Sequence, residues 1–238
     1  MYYNLINLDN LSVEEFVGRF RTLLSDITSL DLHGNHLGNR LSQDLVQAFE
    51  ALKIPLDALI FTHNHLCCLS GQDLSRLFAV LPRSLHTLDL RSNNLYLFTS
   101  TELRDAIGNL ASITSLDLGN NALGLRTSAE ICIILGAIKP GLNFLGLSGN
   151  KLGENSSKKL DCIFLALPKG MTSIDLKNNR LSDLNFEVLA FAFSVLPQTV
   201  TYIDISDNQF DKQQLLQLID ALPANIKSIS INYGKIIY

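Results

Sequence analysis

Apolar residues in this chain switch between two periods, and the switch recurs at a near-constant interval. In residues 27–37, ITSLDLHGNHL, Leu30 and Leu32 alternate with Ser29, Asp31 and His33. That period of two predicts a short strand with one buried face. Beyond it, Leu41, Leu45, Ala48, Phe49 and Leu52 return at helical spacing, as do Leu74, Leu77, Phe78 and Leu81 one unit later. The strand phrase, LxxLxLxxNxL, starts at Ile27, Leu56, Leu85, Ile113, Leu142, Met171 and Val200, in steps of 29, 29, 28, 29, 29 and 29 residues. A weaker eighth copy, IKSISINYGKI, starts at Ile226. A unit of this length buries its apolar face only against its neighbours, so the pattern predicts a solenoid with one strand and one helix per turn.

The ninth position of every strong copy is Asn: Asn35, Asn64, Asn93, Asn121, Asn150, Asn179 and Asn208. The chain turns out of the strand there and frees backbone groups that no sheet can pair. An amide side chain both donates and accepts, which predicts a structural ladder rather than an active site. All six prolines, Pro55, Pro82, Pro140, Pro168, Pro197 and Pro223, stand one to three residues before a phrase, where they end the helix. Strands stack at roughly 4.8 Å and helices at roughly 8–10 Å, so the sheet becomes the inner wall of an arc.

The phrase resembles the leucine-rich repeat family, and its 28–29 residue unit is similar to the ribonuclease-inhibitor-like class. The resemblance implies an α/β fold, a right-handed horseshoe with a parallel β-sheet on the concave face and helices on the convex face. Residues 27–238 then form an array of about eight repeats behind an N-terminal helical cap at 1–26. In the cap, Ser12 and Glu15 form a capping box, and Val13, Phe16, Val17, Phe20, Leu23 and Leu24 share one helical stripe. The last unit carries Gly234 in place of the Asn and stops at Ile236, Ile237 and Tyr238, leaving an edge without a covering helix and a route to self-association. Wording such as LPKGMTSIDLKNNRL is also similar to repeat effectors that intracellular bacteria such as Legionella deliver into host cells by type IV secretion.

Composition narrows the partners. A net charge of −4 with 18% charged residues gives no basic footprint for nucleic acid or anionic membranes. The N-terminus lacks the basic and apolar regions of a Sec signal, and no stretch reaches the roughly 20 apolar residues of a membrane span. The reading is a soluble protein. Cys67, Cys68, Cys132 and Cys162 fall in no metal or redox spacing, which favours free thiols in a reducing compartment.

Candidate function lies at the variable strand positions. The fifth position reads Asp31, Ile60, Asp89, Asp117, Gly146, Asp175, Asp204 and Ser230. Asp89 should abut Asp117, and Asp175 should abut Asp204, with Arg91 and Lys177 placed to relieve the repulsion. Asp at this place also has a purely structural reading, as a hydrogen-bond acceptor for its neighbours. Phe144 and Tyr202 at the third position, with Tyr233 nearby, are either interface anchors or covers for Gly146. Gly119, Gly146, Ser148 and Gly149 should leave the middle of the face shallow. His33, His36, His63, His65 and His86 cluster at the front without metal-ligand spacing, and no metal or cofactor is assigned.

Neither a GxSxG elbow nor a GxxxxGK[ST] loop is present. The expectation is a non-catalytic scaffold that binds a protein, of basic character, through Asp89, Arg91, Asp117, Phe144, Asp175, Lys177, Tyr202 and Asp204. The alternatives are a small-ligand or nucleic-acid sensor of receptor type, and a metal-dependent enzyme built on the histidines.

Overall fold

Strand and helix alternate from end to end in a computed structural model, which describes residues 1–154, 159–232 and 234–237, with Lys159 and the last four through their backbone only. Nine strands, β1 (Tyr2–Asn4), β2 (Ser29–Asp31), β3 (Ala58–Ile60), β4 (Thr87–Asp89), β5 (Ser115–Asp117), β6 (Phe144–Gly146), β7 (Ser173–Asp175), β8 (Tyr202–Asp204) and β9 (Ser228–Ile231), lie side by side in chain order and parallel. A tenth, β10 (Gly234–Ile237), turns back antiparallel on β9. The helices are α1 (Val13–Arg21), α2 (Ser42–Glu50), α3 (Gly71–Ala79), α4 (Ser100–Gly108), α5 (Ser128–Leu135), α6 (Lys159–Ala166), α7 (Phe186–Ser194) and α8 (Lys212–Ala221). Successive helices pack on one another in a layer behind the sheet.

Each residue of one strand pairs with its equivalent in the next, so phrase positions become columns. The fourth and sixth columns, including Leu30, Leu32, Leu88, Leu90, Ile174 and Leu176, point into the core. From the other side come Leu45, Leu74, Leu103, Ile131, Leu160 and Leu189. Edge-on and tilted ring contacts continue across turns, with Phe20, Phe49 and Phe61 at centroid spacings of 5.2 and 5.6 Å.

The ends differ from the sequence reading. Residues 1–26 carry β1 as well as a helix, so the first segment is a degenerate repeat in its own right. Its capping box forms, and Phe16, Val17 and Phe20 are buried, but Val13 and Leu24 lie exposed. Leu41, included in the helical stripe of the next unit, is 73% exposed because it is the N-cap of α2, outside the turn that faces the core. At the far end β10 extends the sheet one strand beyond the repeats. Tyr233 and Tyr238 lie outside the described residues.

Candidate functional site

The turn that follows each strand fixes the site. Residues on both sides of the ladder Asn adopt left-handed backbone, as at Ser92 and Asn94 (φ 58° and 54°), Asn120 and Ala122 (53° and 54°), and Asn178 and Arg180 (52° and 57°). Such conformations are costly for side-chain-bearing residues. The Asn offsets the cost by hydrogen bonding. Asn121 Oδ1 accepts from the N–H groups of Asn93 (2.9 Å) and Leu95 (3.2 Å), while its Nδ2 donates to the carbonyls of Leu90, Leu118 and Gly119 at 3.0, 3.0 and 3.1 Å. Asn64, Asn93, Asn150, Asn179 and Asn208 make equivalent bonds, and Asn35 uses Leu5 and Leu8 of the first segment. All seven are buried.

The Asp column has a structural duty of the same kind. Oδ1 of Asp31, Asp89, Asp117, Asp175 and Asp204 accepts the N–H of the residue two places on, at 2.8–3.0 Å. One oxygen of each carboxylate thus closes the turn, and the second is what remains for other partners.

Asp89 and Asp117 lie opposite each other in the register, and so do Asp175 and Asp204. The two pairs are neutralised differently. Arg91 reaches Asp89 Oδ2 at 2.6 Å and Asp117 Oδ2 at 3.4 Å, bridging the first pair. The hydrogen bonds to Asp89 raise the guanidinium pKa. Lys177 was expected to serve the second pair, but its Nζ sits on Asp207 Oδ2 at 3.1 Å, drawn to a more exposed carboxylate on the next turn. Burial raises the Asp175 carboxyl above its ordinary value, the Lys177 N–H pulls it back, and Asp204 pushes it up again. Burial likewise lifts Asp117 to about 6, against the lowering effect of the Gly119 N–H.

Phe144 and Tyr202 stand in one column on β6 and β8 with Ser173 between them, both half-buried. The missing side chain of Gly146 leaves space that the Asp117 carboxylate fills, since a Cβ there would lie 2.5 Å from Asp117 Oδ1. The shallow middle expected from Gly119, Gly146, Ser148 and Gly149 is therefore partly occupied. Tyr202 leans away from Phe144, its hydroxyl 2.8 Å from Ser230 Oγ.

The front histidines meet ring to ring across adjacent turns: His33 edge-on to His63 at 5.1 Å and His36 tilted against His65 at 4.8 Å. His33 Nδ1 lies 2.6 Å from Thr62 Oγ1. Among the described residues, no group of three potential ligands is placed to hold a metal, no helix is long and apolar enough to cross a membrane, and all four cysteines are free.

One surface went unread in the sequence. Ile133 on α5, Leu165 on α6 and Phe191 on α7 are exposed on adjacent convex helices. Their signal is present, because α5, α6 and α7 carry few polar residues and gather them only weakly on one face.

Known proteins share these features. A family profile described as Leucine Rich Repeat matches residues 84–110. Among solved structures, the chain is similar to the leucine-rich repeat-containing protein LegL7 from Legionella pneumophila, with TM-score 0.88 and 28% identity over 97% of this chain and 72% of that one. A chain of the yeast Rad7–Elc1 complex matches with TM-score 0.53 and 15% identity, over 88% of this chain and 50% of that one, a likeness of fold alone. A search of curated protein sequences finds no match.

Proposed function

This chain is a leucine-rich repeat protein, and we propose that it is a non-catalytic scaffold whose concave face binds a basic, partly apolar protein surface. The observation that carries the reading is the asymmetry between the two acidic pairs. Asp89 and Asp117 already hold Arg91, whereas Asp175 and Asp204 have no cation bridging them among the described residues and lie beside Phe144 and Tyr202. Half-buried aromatics supply contact area, and the two free carboxylate oxygens supply attraction for Lys or Arg. Within the candidate set, Arg91 and Lys177 act by setting the charge of the face rather than by touching the partner.

Resemblance in phrasing, and the likeness to a Legionella protein, support a finer reading as an effector that leaves its bacterium by a type IV route and meets a host protein in a reducing compartment. Two experiments separate these layers. A reporter fusion that enters host cells only when the type IV apparatus is intact supports delivery, and entry that ignores the apparatus contradicts it. Capture of a defined host protein by wild type, lost with Phe144→Ala/Tyr202→Ala in a folded variant, supports the concave site.

A further inference from the structure

Thiols are the reactive side chains that the repeat frame leaves over. Cys67 and Cys68 are neighbours in sequence, and a disulfide between them would strain the peptide that joins them. Cys132 and Cys162 stand 30 residues apart, one more than the 29-residue step from Ile113 to Leu142, and the fold brings them together. The repeat equivalent of Cys132 is Asp161, so its side chain crosses from α5 to the next residue along α6. Its S–H donates to the Cys162 carbonyl at 3.1 Å. Helix packing supplies the approach, because α5 and α6 lie against each other with Ile131, Ile134, Ile163 and Phe164 buried beneath.

The two sulfurs are neighbours as well. The Cys132 thiol is pushed up to about 11, first by burial, then by the charge of Cys162 and a side-chain hydrogen bond with it, and last by Asp161. That hydrogen bond places thiol beside thiol. Both cysteines are free and half-buried at the convex surface, within reach of a small reagent. A proton held this tightly keeps the pair reduced at rest and makes its oxidation slow, since a thiolate, not a thiol, attacks a disulfide.

We propose that Cys132 and Cys162 are a redox-modification site that closes to a disulfide by exchange with a small-molecule disulfide, bolting the unit that opens at Ile113 to the unit that opens at Leu142. One cysteine, as its thiolate, attacks a sulfur of the small disulfide and expels one thiolate. The other then loses its proton and attacks the mixed disulfide, expelling the second. The chain gives up two hydrogens, and the reagent leaves as two thiols. In either order Cys132 must surrender its proton, so the site answers to sustained rather than passing oxidation. Each unit of a solenoid is held by its neighbours alone, and a covalent bond between two of them keeps that interface from parting. The site lies in the helix layer behind the sheet, so its fate is independent of the protein-binding reading of the concave face.

Glutathione redox buffers test this on the full chain, with intact mass and peptide mapping after acid quench. Oxidation should lower the mass by two hydrogens and link the α5 peptide to the α6 peptide, with Cys67 and Cys68 outside the link. The fold is what brings the thiols together, so the equilibrium constant for closure should be about tenfold or more larger in the native chain than in urea. By the same thermodynamic cycle the oxidised chain should unfold about tenfold less readily, and amide exchange in α5 and α6 should slow. Cys132→Ser and Cys162→Ser should each stop at a mixed disulfide with glutathione. The proposal is overturned if closure is no easier in the native chain than in urea, if Cys132 and Cys162 each end as glutathione adducts, or if the α5–α6 link forms only between two chains.

Discussion

At the scale of single residues, polar side chains inside this molecule hold its shape. Asn121 serves five hydrogen bonds across its own turn and the preceding one, so Asn121→Ala should cost on the order of 3 kcal/mol, because buried donors and acceptors on both turns lose their partner. Urea unfolding midpoints equal to wild type would contradict this. The Asn ladder could be read from sequence because its residue type never varied. The flanking left-handed positions were present too, in the sequence as Gly34, His63, Ser92, Asn120, Gly149, Asn178 and Asp207, but mixed residue types hid the common backbone. Asp117 gives a pH signature. Its carboxyl, with a side chain 20% exposed, titrates at about 6 in the fold rather than 3.8. A raised pKa means that the folded chain holds the proton more tightly, so this stabilisation is complete below about 3.8 and is lost as pH rises through about 6. Asp117→Asn should therefore gain on wild type by on the order of 2 kcal/mol between pH 4 and pH 7.5. A stability gap that stays constant over that interval would show that the carboxyl titrates normally.

Elements are specified by where the helices begin and what their first turns touch. Capping boxes open α1, α4, α5 and α8, and the clearest of them, Ser12 with Glu15, was legible directly. Strand β1 was not legible, because Tyr2, Tyr3 and Asn4 show no buried alternation; they pair only because β2 offers its edge. A residue outside the segment secures it. The Arg40 guanidinium donates to the carbonyls of Leu8 and Leu11 and lies 4.1 Å from the Phe16 ring centre. Arg40→Ala should loosen the first unit alone, with amide exchange in α1 accelerating about tenfold or more while α4 to α7 stay protected. Uniform acceleration along the array would instead mean that the first unit and the repeats open together.

For the whole molecule, period, phrase and ladder made the solenoid readable, since each recurs and a recurring error would be visible. The candidate site was less readable. Columns of the sheet followed from the register, and Asp175 does abut Asp204, but sequence spacing alone cannot tell which carboxylate a flexible Lys177 side chain selects. Nor did it show that Asp117 fills the space above Gly146, or that Ile133, Leu165 and Phe191 leave an apolar patch on the convex side. That patch is the competing surface for a protein partner. Salt dependence of partner affinity distinguishes the two faces, because screening acts on the half-buried carboxylates and leaves apolar contact nearly untouched. The decisive measurement is the dissociation constant of a captured partner from low to high salt, for wild type, Asp175→Asn/Asp204→Asn and Phe144→Ala/Tyr202→Ala. With binding on β6 to β8, the Asn pair flattens the salt slope and the Ala pair weakens affinity at every salt concentration. Wild-type affinity and slope in both folded variants, with loss on Phe191→Ala, would place the partner on the convex helices and contradict the concave site.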